Sequence, residues 1–197
     1  MSKTILVTGG SGGIGRAVAI LAGKRGWSVA FTYLSNDTAA RETVAAIETA
    51  GGKGLAIKAD AAKLEDVAMA FDATEKAFGP VDGFVNNAGI GTQAGRLADK
   101  APQEIARLVD VNVLGALYGA REAARRMSRS RGGKGGAIVN MSSAAARLGM
   151  PGEGVDYAAT KGAMDTLTYG LSKELGPDGV RVNAIRPGLI ATEIHAA

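Results

Sequence analysis

Short runs of β-branched and apolar residues alternate with longer helical patterns from the first residues of the chain nearly to its last. The short runs predict strands over residues 4–8, 28–33, 54–58, 83–86, 136–141 and 181–185. The longer patterns predict helices over 14–25, 37–50, 64–78, 102–127 (with a break near Asn112) and 157–175. This alternation is typical of repeated βαβ units and a parallel sheet. Right-handed crossovers place helices on both faces, so we expect a doubly wound α/β fold that binds ligands beyond the carboxyl ends of its strands.

Composition narrows the class of protein without identifying it. A chain of 197 residues with 46% hydrophobic content can bury the core of one domain. The absence of cysteine and the single histidine, His195, exclude a disulfide framework and a thiolate or His-rich metal site, so we expect no metal. No export signal and no apolar window of roughly 20 residues is visible. We therefore expect a soluble, cytoplasmic protein without a membrane partner.

The net charge of +4 and the pI near 9.4 raise the alternative of a nucleic-acid-binding module. Much of the positive charge falls at the end of one predicted helix and in the following turn, at Arg121, Arg125, Arg126, Arg129, Arg131 and Lys134. Cations at a helix C-terminus are favoured by the helix dipole, and no aromatic residues interleave with these to stack on bases. We favour a solvated helix end and expect no nucleic-acid partner.

A glycine-rich turn, Thr8-Gly9-Gly10-Ser11-Gly12-Gly13-Ile14-Gly15, lies between the first predicted strand and the first predicted helix. In this context glycines permit positive φ and a close approach of the backbone to a pyrophosphate, and the helix N-terminus attracts its charge. The segment fits both a G-x-G-x-x-G spacing and a T-G-x-x-x-G-x-G spacing. The alternative is a flexible loop with incidental glycines.

Tyr157 and Lys161 are four residues apart on a predicted helix. Residues at this spacing differ by only about 40° in direction, so both side chains can reach one site. An ammonium beside a tyrosine favours the phenolate, which would bring a pKa of about 10 closer to neutral pH. This pair by itself is also compatible with an ordinary surface tyrosine and lysine.

Further motifs follow in order along the chain. They are Asp60 after the third predicted strand, Asn86-Asn87-Ala88-Gly89 after the fourth, Asn112 in the long helix, Met141-Ser142-Ser143 after the fifth, Tyr157-x-x-x-Lys161, and Arg186-Pro187-Gly188 with Thr192 after the sixth. Together with the glycine-rich turn, this set resembles the short-chain dehydrogenase/reductase family over essentially the whole chain, with sugar dehydrogenases and 3-oxoacyl carrier-protein reductases the most similar in general character. The resemblance implies a Rossmann-like sheet with strand order 3-2-1-4-5-6.

The resemblance also implies a catalytic set of Asn112, Ser143, Tyr157 and Lys161. Tyr157 would be the general acid/base, and Ser143 would steady the reacting oxygen. Asn112 would bend its helix and hold a water that links Lys161 to solvent; by itself it would be a helix-interrupting asparagine. Ser143 is the second serine of its pair, and Ser142 is expected to be a structural residue at the end of the strand. The spacing from Ser143 to Tyr157 is one residue longer than the commonest family pattern.

The implied cofactor-binding residues are Gly9, Ser11, Gly12, Gly13, Ile14, Gly15, Tyr33, Asp60, Asn87, Tyr157, Lys161, Pro187, Gly188, Ile190 and Thr192. Asp60 would contact the adenine, and Thr192 the nicotinamide carboxamide; Thr192 could also cap a helix that begins at Glu193. An acidic residue that ends the second strand favours NAD, and here that position is Tyr33. This favours NADP over NAD. Arg16, just beyond the turn, could supply the basic residue that an NADP site needs. Asp37 lies too late in the sequence for the acidic position and is expected to cap the next helix with Asn36.

The expected function is hydride transfer between NAD(P) and a carbonyl or alcohol substrate. The alternative is a weak or inactive cofactor-binding sensor or scaffold. The resemblance also implies a homo-oligomer, a dimer or a tetramer. Relatives continue beyond the Pro187-Gly188 element through a substrate-covering helical segment and another strand. We therefore expect the 197 residues to belong to a longer protein, or else to a shortened form with weak activity.

Overall fold

A six-stranded parallel sheet lies at the centre of the computed structural model, which describes residues 2–192. The strand order is β3-β2-β1-β4-β5-β6, as predicted. The strands are β1 (Thr4–Val7), β2 (Ser28–Tyr33), β3 (Lys53–Lys58), β4 (Gly83–Asn86), β5 (Gly136–Met141) and β6 (Val180–Ile185). The order reverses between β1 and β4, which is where a doubly wound sheet opens a crevice for a ligand.

The helices connect consecutive strands. They are α1 (Gly13–Lys24), α2 (Asp37–Thr49), α3 (Leu64–Phe78), α4 (Pro102–Val109), α5 (Gly115–Met127), α6 (Ala145–Leu148) and α7 (Val155–Leu175). Short 3₁₀ turns cover Leu97–Asp99 and Arg129–Arg131. The predicted elements are confirmed with ends within two residues, whereas the short α6 was not predicted.

The core consists of two apolar layers, one on each face of the sheet. Ile5 and Val7 of β1 face the layer that α1 and α2 cover, and Leu6 between them faces the layer that α3, α5 and α7 cover. Side chains alternate along a strand, so a strand buried on both faces must be apolar at every position. All four residues of β1 are buried, and this explains the continuous run Thr-Ile-Leu-Val.

The long predicted helix is interrupted where the sequence indicated. A π-helical segment, Asp110–Leu114, separates α4 from α5 and contains the buried Asn112. A π-segment inserts one extra residue into a turn and is often found at functional sites. It turns Asn112 inwards, and the amide then bonds the backbone of the loop after β4.

Some of the basic residues near the end of α5 make internal ion pairs. Arg126 pairs with Glu122, Asp72 and Glu75, and its guanidinium lies 5.1 Å from the centre of the Phe71 ring. Arg121 also pairs with Glu122. This part of the positive charge therefore joins α3 to α5.

Residues 2–192 contain neither a membrane-spanning helix nor a cluster of metal ligands. No helix in this range is both long and apolar enough to cross a bilayer. No cluster of three or more His, Cys, Asp or Glu side chains suited to a metal ion occurs there either.

Phe84 should contribute strongly to stability. It is fully buried in β4, with its ring centroid 5.1 Å from that of Phe71. We expect Phe84→Ala to lower the free energy of unfolding by about 3–5 kcal/mol, because it removes apolar contacts and leaves a cavity. Urea denaturation followed by circular dichroism measures the change. Leu189→Ala, at a residue that is 92% exposed, is the control and should change it by less than about 0.5 kcal/mol.

Candidate functional site

The glycine-rich turn has the tight geometry that the sequence predicted. Gly9 and Gly13 have φ of 66° and 48°, in the left-handed region that favours glycine. A Cβ atom on Gly15 would lie 2.3 Å from the carbonyl oxygen of Gly9, so no side chain fits where α1 packs against the turn. The flexible-loop alternative does not describe this segment.

Asn87 fixes the turn from the neighbouring strand. Its side-chain Nδ2 donates to the carbonyl oxygens of Thr8 (2.8 Å) and Gly9 (3.1 Å). In return, the Thr8 hydroxyl oxygen accepts from the backbone N–H groups of Asn87 and Ala88, each at 2.9 Å. Residues that sequence reasoning placed at the cofactor thus also join the carboxyl ends of β1 and β4.

The N-terminus of α1 fits the pyrophosphate of a dinucleotide. Gly12 forms no side-chain cap, and the first turn of the helix carries no acidic residue. The partial positive charge at the N-terminus of the helix would therefore attract an anion that binds beyond the turn. Ser11, Gly12, Gly13 and Ile14 are half-buried at this rim.

Ser143 and Tyr157 meet where β5 ends and α7 begins. The Ser143 hydroxyl is close enough to Tyr157 to lower the pKa of the phenol, and its oxygen accepts from the Ala145 N–H at 3.1 Å. The extra residue in the loop between them therefore does not separate the pair. Ser142 has a different role, because its buried hydroxyl donates to the Lys161 carbonyl oxygen at 3.1 Å.

Lys161 lies behind Tyr157 in a buried position. The residue is 5% exposed; its Nζ donates to the Met141 carbonyl oxygen at 2.9 Å and lies 5.6 Å from the centre of the Tyr157 ring. Burial lowers the pKa of Lys161 to about 8, because the low-dielectric surroundings disfavour its charged form.

The sequence predicted that Lys161 would lower the pKa of Tyr157, but this effect does not dominate. Burial raises the pKa of Tyr157, and the hydrogen bond from Ser143 opposes this in part. The spacing of the two residues could be predicted from the sequence, whereas the depth at which they are buried could not. Burial disfavours the Tyr157 phenolate and the Lys161 ammonium alike.

Asn112 lies beside Tyr157 and Lys161. Its Oδ1 accepts from the Ile90 N–H (2.8 Å), and its Nδ2 donates to the Ile90 carbonyl oxygen (3.0 Å) and the Thr160 hydroxyl (3.2 Å). A Cβ atom on Gly89 would lie 3.2 Å from Asn112 Oδ1 and 3.5 Å from Lys161 Nζ. Asn112 and Lys161 therefore approach one space above Gly89.

The end of β2 contains an interaction that sequence reasoning missed. Asn36 caps α2 as predicted, accepting from the Ala39 N–H at 2.9 Å. The hydrogen bond between Asp37 and the Tyr33 hydroxyl is the main cause that raises the pKa of Tyr33. Asp37 Oδ1 also lies 3.8 Å from Lys58 Nζ. The acidic side chain is thus close to Tyr33 despite its later position in the sequence.

The remaining predicted cofactor residues occupy two other places on the same edge of the sheet. Asp60 follows β3; its Oδ1 accepts from the Ala62 N–H at 3.0 Å and lies 3.6 Å from Arg107. The Pro187 carbonyl oxygen accepts from the Ala144 N–H at 2.9 Å, so the segment after β6 runs beside Ser143. Ile190 and Thr192 are exposed or half-buried farther along, and Thr192 bonds the Ile190 carbonyl oxygen at 3.3 Å. His195 and the alternative helix from Glu193 lie outside the described residues.

Comparison with known proteins identifies the family and agrees with the fold. The family model described as short chain dehydrogenase matches residues 3–197. The chain is 48% identical to an uncharacterized oxidoreductase, YgfF, of Escherichia coli strain K12, across 98% of this chain and 78% of that protein. It is 42% identical to 3beta-hydroxysteroid dehydrogenase 1 of Eggerthella lenta, across 98% of this chain and 73% of that one.

A solved structure gives the same result. The 3-ketoacyl-(acyl-carrier-protein) reductase from Brucella melitensis, complexed with NADH, superimposes with a TM-score of 0.90 at 32% identity, covering 98% of this chain and 78% of that one. The resemblance that the motifs suggested is confirmed along the chain and in space. The chain belongs to the short-chain dehydrogenase family of oxidoreductases.

Proposed function

We propose that the protein transfers a hydride between a nicotinamide dinucleotide and a carbonyl or alcohol substrate, with Tyr157 as the general acid/base. The observation that supports this best is the proximity of Ser143 to Tyr157, with the buried Lys161 5.6 Å behind the tyrosine ring. Hydride transfer is the chemistry that a bound nicotinamide supplies. These side chains have the properties needed to handle the proton that accompanies it.

Each side chain has a distinct task in this proposal. During reduction, the Tyr157 hydroxyl donates its proton to the substrate oxygen. The Ser143 oxygen accepts from the Ala145 N–H, which holds the hydroxyl in place, and in the substrate complex its proton would turn from Tyr157 to the substrate oxygen. Lys161, with a pKa of about 8, can gain or lose a proton near neutral pH. Asn112 shapes the space above Gly89 in which a water would link Lys161 to solvent.

The proposed cofactor site follows the edge of the sheet. The turn residues Gly9, Ser11, Gly12, Gly13, Ile14 and Gly15 would hold the pyrophosphate, and Tyr33, Asp60, Asn87, Pro187, Gly188, Ile190 and Thr192 would line the rest. A positively charged oxidised nicotinamide beside Tyr157 would favour the phenolate and offset the effect of burial on its pKa.

We propose NADP as the preferred cofactor. Tyr33 stands where NAD-specific sheets carry an acid, and Arg16 extends from the first turn of α1 towards α2. The Arg16 Nη2 is 3.9 Å from Glu42 in a half-exposed pair, and its Nε is buried without a hydrogen-bond partner. Such an ion pair is weak, which leaves the guanidinium available to a 2′-phosphate. The Asp37 carboxylate acts against this preference from the other side of Tyr33.

We also propose a homo-oligomer that acts on a small carbonyl or alcohol. Leu97, Val109 and Val155 are each more than one-third exposed and line one open cavity of about 330 Å³ with Ile105 and Val113. Apolar surface of this kind favours association with another protein surface.

The named relatives differ in substrate, so membership of the family does not identify the substrate of this chain.

Tyr157→Phe tests the mechanism. We expect cofactor affinity within about threefold of wild type and turnover lower by roughly a hundredfold or more, because only the ionisable oxygen is removed. Steady-state kinetics on a carbonyl panel and fluorescence titration with NADPH measure both quantities. Tyr169→Phe, at an exposed tyrosine of the same helix, is the matched control. Retention of most of the wild-type kcat would exclude Tyr157 as the acid, and binding without turnover in the wild type would favour the sensor alternative.

Tyr33→Asp tests cofactor choice. We expect wild-type kcat/KM to be higher with NADPH than with NADH, and the variant to shift this ratio about tenfold towards NADH through charge repulsion of the 2′-phosphate. Tyr33→Phe, which loses the hydrogen bond to Asp37 without adding charge, separates electrostatics from packing. A wild-type preference for NADH would show that Asp37 and not Tyr33 decides the choice.

Lys161→Met tests the electrostatic state of the site. Between about pH 8 and pH 10.4 the unfolded chain binds a proton on this lysine that the folded protein has released, so its contribution to stability increases with pH in that window. We expect the free energy of unfolding of wild type minus that of Lys161→Met to rise by about 3 kcal/mol from pH 7 to pH 10.5. Lys173→Met, at an exposed lysine of α7, should show no such rise. A flat difference for Lys161→Met would mean that the folded protein accommodates the ammonium without penalty.

A further inference from the structure

Near the Ser143–Tyr157 pair, polar side chains join a loop to the first turn of α7, which a second loop precedes. One loop follows β4 and contains residues 87–101; the other follows β5 and contains residues 142–154. They leave neighbouring strands at the edge where a doubly wound sheet binds its ligands. The second loop begins with the two serines and leads into α7, whose first turn carries Tyr157.

The connection consists of Thr92, Lys100 and Asp156, which we call the Thr92 clamp. The Thr92 hydroxyl donates to Asp156 Oδ2 at 2.7 Å and accepts from Lys100 Nζ at 3.0 Å. Lys100 Nζ lies 4.0 Å from Asp156 Oδ2 and also donates to the Gln93 carbonyl oxygen. The side chains of Lys100 and Asp156 are only 5% and 3% exposed.

Stability alone is a poor explanation for these two buried charges. A buried ion pair loses hydration that its mutual attraction does not reliably restore, and apolar residues of similar size often do as well. Asp156 Oδ1 is buried and has no hydrogen-bond partner, so the carboxylate is incompletely satisfied. Such pairs are better suited to holding one arrangement of the chain than to adding stability.

The surrounding backbone agrees with a fixed arrangement. The Gly95 N–H donates to the Glu153 carbonyl oxygen at 3.0 Å, which joins the loops a second time. A Cβ atom on Gly154 would lie 2.9 Å from Thr92 Cγ2, so the loops pack directly on each other. Met150 has φ of 46°, an uncommon value for a side-chain-bearing residue that the surroundings must maintain.

We propose that the Thr92 clamp is a positioning device for the substrate: it holds the loop after β4 against the first turn of α7, and so fixes the wall of the cleft beside Tyr157. Asp156 transmits this directly, since it precedes Tyr157 in the chain. The glycine-rich turn is held separately, by Asn87 and Thr8. The clamp therefore acts on the carbonyl substrate and not on the dinucleotide. This inference rests on the proposed hydride transfer.

Thr92→Val and Thr92→Ser form the decisive pair of variants. Valine keeps the shape but loses both hydrogen bonds, and serine keeps the hydroxyl. For Thr92→Val we expect the KM of the carbonyl substrate to rise about tenfold and kcat to fall a few-fold, with the KM of NADPH within twofold of wild type. Thr92→Ser should stay within about threefold of wild type in all three constants.

Equal losses for both substrates in Thr92→Val, or wild-type constants, would overturn the proposal. Should this variant not fold, the Lys100→Met/Asp156→Asn double variant makes the same comparison, because it removes both buried charges together. Amide hydrogen exchange of residues 91–100 is an independent readout and should be at least about tenfold faster in Thr92→Val than in Thr92→Ser. If the wild type transfers no hydride to any carbonyl, the proposed function fails. Unchanged exchange rates would instead refute the clamp itself.

Discussion

The hydrogen bonds between Thr8 and Asn87 hold the site together at the point where the sheet changes direction. The chain leaves β1 towards one face and β4 towards the other, so the backbone groups at their carboxyl ends lose the regular partners of a sheet. The Asn87 amide and the Thr8 hydroxyl supply those partners at 2.8–3.1 Å. The same bonds set the shape of the glycine-rich turn, so the proposed cofactor site and the edge of the sheet depend on the same contact.

Burial also determines the protonation of the side chains near the start of α7. Lys161 and Tyr157 occupy surroundings that disfavour charge on either of them, which lowers one pKa and raises the other. In the proposed mechanism the protonated tyrosine would donate to a carbonyl, and the lysine would exchange a proton near neutral pH. Charge that arrives with a ligand would change the balance more in this buried site than in water, because the local dielectric constant is low.

Much of the fold could be predicted because its signals are local. Strands buried on both faces appear as continuous apolar runs, and the tight turn after β1 appears as glycines, so these elements were predicted from local pattern. The strand order, which is not a local property, was predicted from the family resemblance. The contact of Asp37 with Tyr33 was missed because strand-end position was taken as a guide to proximity, whereas the first turn of α2 brings the carboxylate back. The raised pKa of Tyr157 was missed because burial depth has no local pattern.

The Thr92 clamp shows why substrate preference is harder to predict than chemistry. Its members come from the loop after β4 and from the first turn of α7, far apart in the sequence, and a lone Thr, Lys or Asp resembles any solvated residue until the fold brings them together. The turn and the Tyr157–Lys161 pair act through short, fixed spacings and therefore leave motifs that relatives share. Loops held by long-range side-chain contacts can differ in sequence and contacts from one relative to another while the sheet stays the same. The relatives of this chain accordingly include a hydroxysteroid dehydrogenase and an acyl-carrier-protein reductase.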